Sequence, residues 1–70
     1  MSWHFIESNW QQMRGNLKHQ WARLADDQLD RINGQRDKLA WKIQEVYGTS
    51  RENAEMQITA FEHRTKDLFF

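Results

Sequence analysis

The histidines His4, His19 and His63 are the residues of this 70-residue chain best suited to hold a metal ion, because a neutral imidazole nitrogen is a common ligand. No two of them stand three or four residues apart, the spacing that puts two ligands on one helix face. A site would need Glu7 or Glu62 to converge on a histidine in space. His19 and His63 fall opposite the apolar stripes of their helices, which predicts solvated side chains, and no metal is expected. The acidic knot Asp26, Asp27 and Asp30 lacks the alternating oxygen ligands, the glycine turn and the terminal glutamate of a calcium loop. Helix capping and an Asp27–Arg31 pair account for it. Gly34-Gln35-Arg36-Asp37 puts a glycine before a helix, but without the successive backbone N–H groups and following lysine that cradle a phosphate. It is read as a turn, with the Arg36 stem covering core and its head reaching water. The serines and threonines stand in no nucleophile-elbow context, and the chain has no cysteine. No catalytic residue and no cofactor are expected.

Arg14, Lys18, Arg23, Arg31, Arg36, Lys38 and Lys42 make the first two-thirds of the chain slightly basic, and neighbouring aromatics could stack bases. Asp26, Asp27, Asp30, Asp37 and Glu45 interrupt that positive field. Ten basic and ten acidic residues cancel over the whole chain, which removes the global pull on a phosphate backbone. Weak nucleic-acid binding through the first three helices is therefore the alternative reading, and nucleic acid is not the expected partner.

These residues must be held by helices. At about 100° per residue, Trp3, Ile6, Trp10, Met13, Leu17, Trp21 and Leu24 fall within an arc of about 80°, one apolar face. Ser8-Asn9 could cap a later start, so residues 3–7 either extend this helix or form a separate segment folded against it. Ala25-Asp26-Asp27 interrupts the period, and a short helix follows that buries Leu29 and Ile32. Asn33-Gly34 is a stop or tight turn. Leu39, Ile43, Val46 and Tyr47 then set a new face, with Ala40 at its margin, and Gly48 ends that helix. Thr49 or Ser50 caps the last helix, which buries Ala54, Ile58 and Phe61, with Thr65 and Leu68 continuing the stripe. The expected fold class is all-α: a small compact four-helix bundle of two or three long helices plus a short connector helix, in one domain over residues 1–70. No apolar run approaches the roughly 20 residues of a membrane span, and a cytoplasmic location is expected.

Trp41 does not fit this scheme. It projects about 200° from Leu39, between Lys38 and Glu45, and Met56 projects about 200° from Ala54 on the last helix. Either Trp41 is a tolerated surface residue, with the ammonium of Lys38 or Lys42 over its ring, or it anchors an interface, where aromatics and methionine are enriched. The candidate interaction surface is Trp41, Met56, Lys38 and Lys42, and the partner is an unknown protein or a second copy in a weak homo-oligomer. Leu68-Phe69-Phe70 either folds over the bundle or joins that surface.

The ordered string N-W at 9–10, R-G at 14–15, Q-W at 20–21, L-x-D-D at 24–27, G-x-R-D-x-L at 34–39 and K-I-Q-E-x-Y-G at 42–48 resembles the CsbD-like family of small bacterial stress-associated proteins, over residues 3–64. The resemblance implies a small all-helical fold and a link to general stress responses. It supplies no catalytic motif, and the family's molecular activity is not established. Ser8 stands where the family usually has glycine, Ala25 where it has a capping threonine, Phe61 where it has tryptophan, and Trp41 where it has glycine or another small residue. Ala25 leaves Asp26 to take the capping role. The resulting expectation is a non-catalytic, stress-associated protein acting through protein contacts or self-association.

Overall fold

A computed structural model describes residues 3–69, with side chains described through residue 65. Among the described residues five helices follow one another: α1 (Trp3–Ser8), α2 (Trp10–Gln20), α3 (Asp26–Ile32), α4 (Arg36–Tyr47) and α5 (Arg51–Phe69). The all-α bundle is as expected, with one helix more than the four read from the sequence. The extra break is at Asn9, whose φ of −115° and ψ of 31° leave the helical region. Its side-chain amide donates to Phe5 O at 2.8 Å and its backbone N–H to the same carbonyl at 3.1 Å, closing α1. Its own carbonyl then accepts from Gln12 and Met13 at 3.0 Å, opening α2. Residues 3–8 are thus a separate short helix folded against the rest.

The apolar face is also cut at its far end. Trp21 and Leu24 are buried as the period predicts, but α2 stops at Gln20 and both lie in the connection to α3. Trp21 leaves helical geometry with φ −125° and ψ 78°, and its ring packs on Phe61 of α5 with centroids 5.2 Å apart. A contact with another helix decides this position, which a local period does not register.

Ile6, Met13 and Leu17 meet Leu29 and Ile32 of α3, Leu39, Ala40 and Ile43 of α4, and Ala54, Ile58 and Phe61 of α5 in a single core. Burying each large aliphatic side chain stabilises the fold by roughly 1.5–3 kcal/mol. The radius of gyration, 11.0 Å, is that of a folded chain of this length.

The core tryptophans also tie elements together through their indole N–H groups. Trp3 Nε1 donates to Gly34 O at 2.7 Å, Trp10 Nε1 to Leu29 O at 3.1 Å, and Trp21 Nε1 to Gln57 Oε1 at 2.9 Å. Each bond satisfies a donor that burial would otherwise strand. The α3–α4 turn that receives Trp3 has left-handed backbone at Asn33 (φ 47°) and Gly34 (φ 81°). A Cβ on Gly34 would sit 3.1 Å from Glu7 Cγ. Glycine therefore serves the turn and the close approach of α1 together.

Capping differs from expectation in one place. Asp26 does not cap α3; Ala25 occupies the cap with extended backbone, and Gln28 Oε1 accepts the Ala25 N–H at 2.9 Å. The Asp26 carboxylate turns instead to Lys18. At α5 the cap is Ser50, whose Oγ accepts the Asn53 N–H at 3.1 Å, while Thr49 Oγ1 accepts from the Asn53 side chain. Gly48 ends α4 in left-handed geometry, φ 64°. The expectations for the side chains of Leu68, Phe69 and Phe70 lie outside the described residues.

Candidate functional site

Nine of the ionisable side chains are engaged in ion pairs that join elements. Arg14 of α2 pairs with Asp30 and, at 3.7 Å, with Asp26, to which Lys18 adds a contact at 3.0 Å. The Lys18 hydrogen bond and charge, with Arg14 behind them, hold the Asp26 carboxyl below its ordinary range. Asp27 and Arg31 do not form the expected pair; the acidic knot works through Asp26 and Asp30 toward α2. A second group centres on Arg36 at the start of α4. Its guanidinium meets Glu55, Glu62 at 3.4 Å and Thr59 Oγ1 at 3.3 Å, all on α5. Arg51 joins the group by contacting Glu55 at 2.9 Å and Asp37 at 3.3 Å. Partial burial of Arg36 disfavours its charge, but Glu55 and Glu62 outweigh that and raise its pKa. Glu55 is lowered in turn, chiefly by its hydrogen bond to Arg36.

Of the seven cations considered for nucleic acid, Arg14, Lys18, Arg36 and Lys42 are thereby matched to carboxylates. Arg23 lies 5.5 Å from the centre of the Tyr47 ring, and its N–H donates to the Tyr47 hydroxyl at 3.0 Å. Tyr47, expected in the core, is 36% exposed, because its phenol reaches this partner at the bundle edge. His19 and His63 are exposed, and His4 reaches Glu7 only at 4.0 Å. Among the described residues no three metal-binding side chains converge.

Trp41 is 59% exposed, while Leu39, Ala40 and Ile43 of the same helix are fully buried. It lines an open depression with Lys38 and Lys42 of α4 and with Arg31 and Ile32 of α3. The ammonium of Lys42 rests on Glu45 Oε1 at 2.8 Å, and the cation–π contact of the described residues is Arg23 on Tyr47, not a lysine on Trp41. Trp41 is also the tryptophan whose indole N–H has no protein acceptor among the described residues. The structure thus brings Lys38 and Lys42 to Trp41, but it does not bring Met56. Met56 is 63% exposed and belongs to a second depression on α5, with Glu52, Glu55, Thr59, Ala60 and His63. Sequence reasoning missed Arg31 and Ile32 as neighbours of Trp41, because no local pattern states how α3 crosses α4. It also missed the acids beside Met56, although Glu52 stands four residues before it, one helical turn away.

The fold and its surface define a small all-α bundle, knit by cross-element indole bonds, whose exposed Trp41 and Met56 sit in open depressions lined by charged residues. The chain belongs to the CsbD-like family, whose family model matches residues 5–56. It is 46% identical over 63 residues to the UPF0337 protein NE2439 of Nitrosomonas europaea, covering 90% of this chain and 67% of that one. It is 43% identical over 58 residues to the UPF0337 protein YjbJ of Escherichia coli (strain K12), covering 83% and 84%. The UPF0337 protein ECA0631 of Pectobacterium atrosepticum is similar at 45% over 58 residues, again 83% and 84%. These relatives bring no catalytic family with them. No helix among the described residues is long and apolar enough to cross a membrane.

Proposed function

We propose that this chain is a non-catalytic, stress-associated protein of the bacterial cytoplasm that acts through protein contacts or self-association at two exposed surfaces, one around Trp41 with Lys38 and Lys42 and a separate one around Met56. The stress association is taken from what the family resemblance implies. The contact reading is carried by one observation: Trp41 is 59% exposed on a helix that fully buries Leu39, Ala40 and Ile43 on its core-facing side. A large aromatic ring left in water beside cationic side chains suits an interface anchor. The test compares the native chain with Trp41→Ala, which keeps helix propensity. Loss of concentration-dependent association in sedimentation velocity, or loss of a partner captured from stressed cells, is the expected result. Unchanged association together with an unchanged set of captured partners would remove this surface from consideration.

A further inference from the structure

The two depressions are opposite in charge and alike in apolar character. Around Trp41 the lining carries Arg31, Lys38 and Lys42, with Ile32 beneath. Around Met56 it carries Glu52 and Glu55, with Ala60 beside the thioether. They share no residue, and Trp41 and Met56 project away from the buried faces of α4 and α5, so neither depression can be filled by the other within one molecule. Some of the charges are also uncommitted. Lys42 and Glu55 have partners on the chain, but Arg31, Lys38 and Glu52 enter none of the ion pairs among the described residues.

We infer that the occupant of each depression is a second copy of this chain, the Trp41 face of one molecule seating on the Met56 face of the next. The indole would lie against the Met56 thioether and Ala60, a favourable sulfur–aromatic pairing. Lys38 and Arg31 would face Glu52 across the rim. The formal net charge of zero leaves no overall repulsion to oppose such a contact. Because the two faces differ, the contact is heterologous, so assemblies grow head to tail as open chains with one free face of each kind at their ends, or close into rings. Single helix faces make a small interface, so the association is weak and reversible, and salt weakens it by screening the rim.

This inference rests on the reading of Trp41 as a contact surface, and two exposed substitutions test it separately. Trp41→Ala disables one face and Met56→Glu the other, and circular dichroism checks that both stay folded. In sedimentation velocity up to millimolar concentration, the native chain is expected to grow past a dimer, with growth reduced by high salt. Each variant alone is expected to remain monomeric. Their equimolar mixture is expected to form a dimer and stop there, because it contains one working face of each kind. A native chain that stays monomeric, a Met56→Glu variant that associates like the native one, or a mixture that stays monomeric would each overturn the head-to-tail contact. If the native chain is monomeric yet Trp41→Ala loses a captured partner, this inference falls while the contact-surface reading stands.

Discussion

Thr65 is 1% exposed, and its Oγ1 has no hydrogen-bond partner among the described residues. A buried hydroxyl without a partner carries its desolvation cost without return. Thr65→Val keeps the branched shape and should stabilise the protein by about 1 kcal/mol. Urea unfolding followed by circular dichroism measures it, and a clear loss of stability would mean that the hydroxyl has an acceptor. At this scale the sequence was legible where burial alone decides. The places of Ile6, Met13, Leu17, Ile43 and Ile58 follow from periodicity. Tyr47 and Ala25 did not follow, because each depends on a particular polar partner: the Arg23 N–H for the phenol, and the Gln28 side chain for a cap residue that has no acceptor of its own. Trp41 was recognised as out of place, but the neighbours that give it chemical character, Arg31 and Ile32, come from another helix.

The helices differ in how much of their stability is their own. In the middle of α2, Gly15 is exposed, and a Cβ built there meets nothing within 4 Å. Nothing in the structure requires glycine at this point, and glycine in a helix interior costs about 1 kcal/mol relative to alanine. Gly15→Ala should therefore raise stability by about 0.5–1 kcal/mol, seen as a higher denaturation midpoint at an unchanged slope. An unchanged midpoint would show that the backbone freedom of Gly15 does not limit the stability of α2. The start of α5, and the ends of α3 and α4 at Asn33-Gly34 and Gly48, were legible because local chemistry sets them. The break at Asn9 was visible only as an alternative, since the aromatic stripe runs through it without a change of phase. The end of α2 at Gln20 was not legible, because Trp21 and Leu24 keep the helical period while the chain has already left the helix.

Across the whole molecule, charge holds the periphery as apolar packing holds the centre. The Arg36 group fastens the start of α4 to α5, with Glu55 shared between Arg36 and Arg51. The Glu55 pKa is lower in the folded chain than its ordinary value of 4.5, so its contribution is present above that pH and fades as the pH falls through the depressed value. Asp26 adds a similar dependence below its ordinary 3.8 through Lys18. The melting temperature should accordingly decline below about pH 4.5. Glu55→Gln should lower stability near neutral pH and flatten that decline, and a variant with the native acid profile would show that the Arg36 group contributes nothing. No single stretch of sequence announces this group: Arg36, Glu55 and Glu62 meet only because α4 folds back on α5.

The four tryptophans, placed as they are, have an optical consequence. Trp10 and Trp21 are buried and Trp3 is half-buried, each with its indole N–H bonded to protein, whereas most of the Trp41 ring faces water. Intrinsic emission therefore divides into a shielded population and one indole open to a collisional quencher. That indole stands at the surface where association is inferred, so the chain carries its own unlabelled reporter. Any molecule that covers the Trp41 depression should shift its emission toward the blue and protect it from quenching, while the three interior tryptophans serve as an internal standard for the fold.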